Sequence, residues 1–115
     1  MIIYMIDSAG RARIGRFVRD EIARRGTTPE EVGAKPGRPS LVTIKRIKAG
    51  DPSVSELMFL ALGTKLELPA DYLMYIGTGD LRRIKRSGAA PDLIRVTLEL
   101  FRDDNDDTMH LEGLE

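Results

Sequence analysis

A chain of 115 residues, 42% apolar but only 5% aromatic, has the length for one domain, with a core that Leu, Ile, Val and Met must build. It contains no cysteine, which excludes a disulfide framework and thiol chemistry. The net charge of zero hides two halves of opposite sign: residues 1–50 carry 11 Lys/Arg against 5 Asp/Glu, and residues 51–115 carry 7 against 13.

Residues 1–7, MIIYMID, are apolar and partly β-branched, and read as a short strand or an arm (residues 1–10) packed on the domain. They lack the basic flank and the length of a secretion signal. No run in the chain approaches the ~20 apolar residues that span a bilayer, so no membrane attachment and a cytoplasmic location are expected. Ser8 is placed to cap a helix running to about residue 25, ended by Gly26. Ile14, Phe17, Val18 and Ile22 fall at i, i+3, i+4 and i+8, a core stripe. Arg11, Arg13, Arg16, Arg19, Arg24 and Arg25 take the rest of its surface. Most of these arginines read as a solvated face, with some in reach of a phosphate.

Residues 27–50, TTPEEVGAKPGRPSLVTIKRIKAG, read as two short helices around a tight turn. Thr28 is an N-cap, Pro29 sits at the first helical position, and Glu31 completes a capping box. Pro36 and Gly37 end this helix, because a proline disfavours the helical conformation at Lys35 before it. Ser40 caps a second helix to about Lys48, and Gly50 is placed as a left-handed stop. At 100° per residue Ile44 and Ile47 share a buried face, Val42, Lys45 and Arg46 point away from it, and Leu41 and Lys48 lie at its edges.

Ser53 and Glu56 form a second capping-box pattern before an apolar helix to about Leu66. Gly63 inside it is destabilising by up to ~1 kcal/mol against Ala, and close approach of a neighbouring helix is the expected reason for it. Pro69 is placed to start a further helix ending at Gly77. Leu57, Leu60, Leu66, Leu68, Leu73 and Ile76 are expected to close the core with Ile14, Phe17, Val18, Val32, Ile44 and Ile47. Asp80 caps a short basic helix to Arg86, residues 87–90 break the chain, and Pro91 opens a helix to about Arg102. That last helix carries Leu93, Val96 and Leu100 on one stripe and Ile94, Leu98 and Phe101 on the next. A single domain covers one stripe, so a two-fold homodimer through residues 91–102 is expected. The competing arrangement is a monomer in which residues 1–7 and 80–86 cover the second stripe. Residues 103–115 form an acidic tail, expected to be mobile.

The 27–50 stretch resembles the helix-turn-helix of the lambda-repressor/Cro-like (xenobiotic-response-element type) regulators. The matching residues are Gly26, Thr28, Glu30, Glu31, Val32 and Gly33, then Ser40, Thr43, Ile44, Arg46, Ile47 and Gly50. The likeness runs on through LELPADYL, which is similar to the family's fifth helix, and covers roughly residues 11 to 76. Three features depart from the family. The turn from Pro36 to Pro39 is one residue longer and holds two prolines, Pro29 replaces a polar residue, and Leu41 and Val42 stand where polar readers are common. The resemblance implies an all-α, five-helix domain over residues 11–77 with one or two further helices over 78–102. It also implies a sequence-specific duplex-DNA-binding regulator of transcription, with repression by blocking a promoter as the expected mode.

The basic N-terminal half is the electrostatic footprint of such a surface. On this reading helix 40–48 lies in the major groove. Lys45 and Arg46 donate to guanine or phosphate, Leu41 and Val42 pack on thymine methyls, and Ser40 and Thr43 flank them. Lys35, Arg38 and Lys48 hold phosphates, as do the N–H groups around Thr28. No chemistry is expected. Asp103, Asp104, Asp106 and Asp107 lack the Gly and Glu of a calcium loop, since Thr108 and Leu114 stand there. A lone His110 without cysteine leaves little for zinc, and no cofactor or small-molecule ligand is indicated. Two other classes stay open: an antitoxin or protein-interaction module working through the C-terminal helix, and a scaffold that has lost DNA binding.

Overall fold

A computed structural model describes residues 6–104, and in it each helix start is set by local chemistry. The first helix, α1 (Ser8–Arg24), is capped not by Ser8 but by Asp7, whose carboxylate accepts from the Gly10 N–H at 2.7 Å. An ionised acceptor one residue earlier suits the positive helix start better than a hydroxyl. Thr28 caps α2 (Pro29–Ala34) and Ser40 caps α3 (Leu41–Lys48), as the sequence suggests. The α4 helix (Glu56–Lys65) is capped by Ser55, because the Ser53 hydroxyl and N–H both donate to the Asp51 carboxylate, at 2.7 and 2.8 Å. Pro69 does not start a helix: it opens a turn in which its carbonyl accepts from Tyr72 and Asp71 is left-handed (φ 63°). The α5 helix (Tyr72–Thr78) begins only after it. Asp80 caps α6 (Leu81–Lys85), and α7 (Pro91–Asp104) follows. The described residues are thus all-helical, with no strand among them. Residues 1–5 of the expected arm and nearly all of the acidic tail, including Asp106, Asp107 and His110, lie outside the described residues.

Helix α1 is the central element and packs against α3, α5 and α7. Its approach to α3 is backbone to backbone, since a Cβ at Gly15 would lie 2.6 Å from the Lys48 carbonyl oxygen. Ile14, Phe17, Val18, Ile22, Val32, Ile44, Ile47, Leu66, Leu68, Leu73 and Ile76 are all buried, as expected. Two residues of the expected core are not: Leu57 is 67% exposed and Leu60 37%. Helix α4 is apolar almost all the way round, so its composition carries no phase. The structure turns Phe59, Leu62 and Leu66 inward, at i, i+3 and i+7. Gly63 is a second correction. No neighbouring helix presses on it, and an added Cβ would meet nothing within 4 Å.

Arg11, Arg13, Arg24 and Arg25 are tied to partners in the chain, which corrects the solvated-face reading for Arg11 and Arg13, while Arg24 and Arg25 remain exposed. Arg11 donates to the Val54 carbonyl at 2.7 Å and lies over the Phe59 ring. Arg13 donates to the Ile76 carbonyl at 2.8 Å and lies over Phe101. Arg24 and Arg25 both bind the carboxylate of Glu21, which is buried at the C-terminal end of α1. Arg19 does stay on the surface, beside Asp20.

The inner line of α7 is Leu93, Thr97 and Phe101, which takes one residue from each expected stripe and a threonine from neither. The Thr97 hydroxyl donates to the Leu93 carbonyl at 2.7 Å, so the Tyr72 phenol, also 2.7 Å away, donates to Thr97. Burial pushes the Tyr72 phenol up from its ordinary range, and the Glu21 carboxylate adds to this, so the donor is kept. Val96, Leu98 and Leu100 pack partly against the core and Ile94 is half-buried. The bare apolar strip on which the dimer through residues 91–102 rested is therefore not found: among the described residues the large exposed hydrophobics are Val42, Leu57 and Leu60. No helix among them is long and apolar enough to cross a membrane.

Candidate nucleic-acid interface

The expected site residues sit at the cap of α2, on α3 and on the six residues between the two helices. The Thr28 hydroxyl accepts from the Glu31 N–H at 3.1 Å and donates to the Glu31 carboxylate at 3.3 Å. With Pro29 lacking an N–H and with Glu30 and Glu31 in its first turn, the start of α2 presents acid where a phosphate was expected. Thr28 therefore orders the helix more than it attracts an anion. Helix α2 ends at Ala34, and Lys35 is extended (ψ 148°), the conformation that a following proline imposes. Gly37 takes the left-handed turn position (φ 91°). A Cβ at Gly33 would stand 3.0 Å from the Leu41 backbone, so α2 and the start of α3 touch closely.

One lysine outside the expected set locks this arrangement. Lys65, at the end of α4, is buried, and its ammonium donates to the Gly33 carbonyl at 3.2 Å and the Pro39 carbonyl at 2.8 Å. It therefore ties the end of α2 to the residue before the α3 cap. A cation at a helix C-terminus is favourable, because the last carbonyls there lack intrahelical partners. No signal in the sequence marked it, because apolar residues all round α4 hide which side faces inward.

On α3, Ile44 and Ile47 are buried against α1 and α4. The opposite side carries Val42, which is 59% exposed, with Lys45 and Arg46 exposed beside it. Leu41, Thr43 and Lys48 are half-buried at the edges, and Ser40 is exposed. Ser40 and Thr43 are joined to each other, since the Ser40 oxygen accepts from the Thr43 N–H at 3.4 Å. Lys45 lies 3.9 Å from the Glu30 carboxylate, a pair exposed on both sides and worth about 1 kcal/mol or less. Past the helix end, bonds from the Ser53 N–H and hydroxyl hold the Asp51 carboxyl below the usual range, with the charges of Arg46 and Arg11 adding. Lys35 and Arg38 are exposed on the turn, where they line an open groove of about 580 Å³ with Ala61, Thr64 and Glu67 of the α4 side.

The structure thus brings Ser40, Leu41, Val42, Thr43, Lys45, Arg46 and Lys48 together on one helix, places Lys35 and Arg38 on the adjoining turn, and gives Thr28 a structural task. Among the described residues no group of three or more His, Cys, Asp or Glu could hold a metal ion. In comparisons with known protein families, with curated proteins and with solved structures, nothing matches this chain.

Proposed function

We propose that this chain is a sequence-specific duplex-DNA-binding regulator of transcription. In this reading α2 and α3 form a lambda-repressor-like helix-turn-helix, and α3 is the helix that enters the major groove. The observation that carries it is the division of α3. Ile44 and Ile47 anchor one side in the core, while Val42, Lys45 and Arg46 project together from the other with one weak ion pair among them. Lys45 and Arg46 donate to base edges, and Val42 and the free edge of Leu41 pack on thymine methyls. Lys35, Arg38 and Lys48 neutralise phosphates, which position the helix without specifying sequence. Binding alone, by occupying a promoter, represses; no catalytic step is involved. The interaction-module alternative through α7 has less support, because the apolar residues of that helix are covered or half-covered by the chain itself.

The test is a double variant. Each good bidentate base contact is worth about 1–3 kcal/mol, so Lys45→Ala with Arg46→Ala should weaken binding to a selected duplex by at least about tenfold. Circular dichroism should be unchanged, since both side chains are exposed. Equal affinity of variant and parent for that duplex would remove α3 from the interface.

A further inference from the structure

The outward side of α3 sets one apolar side chain beside one unpaired cation. Val42 is 59% exposed. Leu41 is half-buried with its backbone close against Gly33 of α2, so Val42 is the apolar side chain that projects clear of the domain. The two cations of this side differ. Lys45 has the Glu30 carboxylate 3.9 Å away, whereas Arg46 is in no ion pair and no side-chain hydrogen bond among the described residues. The Asp51 carboxylate, whose charge Arg46 feels, is engaged by the Ser53 N–H and hydroxyl instead. Val42 and Arg46 stand at i and i+4, which makes them neighbours on one stripe of the helix. A long helical side chain lies back over the turn before its own Cα, so the Arg46 stem runs toward Val42.

A guanidinium that bonds both O6 and N7 of a guanine lies in the plane of that base. Base pairs stack about 3.4 Å apart, so a side chain at van der Waals distance from the guanidinium face is level with the adjoining pair. The apolar group that a base pair presents in the major groove is the C5 methyl of a pyrimidine. Thymine always carries it, and cytosine carries it once methylated at C5. We propose that Val42 and Arg46 act as a unit that reads a guanine together with a C5-methyl group on the adjoining base pair. Thymine and 5-methylcytosine are then accepted at that pair, and unmethylated cytosine is disfavoured because it leaves Val42 without an apolar partner. The inference rests on the DNA-binding reading and narrows it: where a site carries cytosine beside that guanine, cytosine methylation regulates its occupancy. One buried methyl group is worth about fourfold in affinity.

The test starts from two selections on a random-sequence duplex pool, one with the parent and one with Arg46→Ala. The guanine whose preference disappears in the second marks the Arg46 contact. Synthetic duplexes of the parent's selected sequence then carry thymine, uracil, 5-methylcytosine or cytosine as the pyrimidine of each adjoining base pair in turn. Thymine against uracil, and 5-methylcytosine against cytosine, differ by one methyl group each. At one of the two neighbours the parent should bind the methylated member of both couples about fourfold more tightly. Val42→Ala should bring both ratios toward one with an unchanged melt, since Val42 lies outside the core. Equal binding within the couples at both neighbours would overturn the proposal. So would ratios that survive Val42→Ala, or an Arg46→Ala selection that keeps every guanine. A pool in which the parent enriches nothing would remove the DNA-binding reading itself, and the proposal with it.

Discussion

Ile47→Asp should unfold the domain rather than only abolish binding. Ile47 is 2% exposed on the inner side of α3, and the carbonyl at this position faces α1 at Gly15 so closely that a Cβ there would come within 2.7 Å. Helix α1 therefore has no room to move aside and let water reach a carboxylate. An unpaired buried carboxylate, added to the lost aliphatic packing, should cost more than about 4 kcal/mol, a large share of the ~5–15 kcal/mol that a domain possesses. The expected readout is loss of the cooperative thermal transition by circular dichroism. A variant that melts near the parent temperature would mean that Ile47 is not in the core, and that the side of α3 assigned to DNA is the wrong one.

Lys65→Met should weaken both fold and binding. Methionine keeps the apolar stem in place but removes the ammonium, leaving the Gly33 and Pro39 carbonyls without that donor. An unmade bond to a buried group costs about 1–3 kcal/mol. The open groove beside Lys65 admits water to part of the site, so a total of roughly 2–4 kcal/mol is expected. Because the lost bonds join the end of α2 to the start of α3, affinity for DNA should also fall, although Lys65 itself is buried and touches no duplex. Lys65→Arg, which retains donors, should lose less on both measures. If Lys65→Met melted at or above the parent temperature, the ammonium would not be what fixes the turn.

What could be read in advance was local. The caps Thr28, Ser40 and Asp80, the left-handed stops Gly26 and Gly50, and the α1 stripe are each written in a few adjacent residues. Their physics needs no distant partner. The inner and outer sides of α3 were legible for the same reason, because polar and apolar residues alternate there with a clear helical period. The misses depend on partners far along the chain, or on a pattern with no contrast. Arg11 and Arg13 reach carbonyls of Val54 and Ile76, 43 and 63 residues away, and no spacing rule announces that. Asp51 takes Ser53 and thereby hands the α4 cap to Ser55. Within α4, apolar residues at nearly every position erase the phase, which exchanged Phe59 and Leu62 for Leu57 and Leu60. Thr97 escaped notice because a threonine in an apolar helix reads as surface until Tyr72 is found beside it.

The central claim, that α3 carries a duplex-DNA interface, is tested most directly by selecting duplexes from a random-sequence pool and titrating the winner with the parent chain at two salt concentrations. The account predicts enrichment of one sequence pattern. It also predicts saturable binding whose log affinity falls against log salt with a slope of about −3, the value for three phosphate contacts by Lys35, Arg38 and Lys48. No enrichment over the starting pool, or an affinity indifferent to salt, would contradict it.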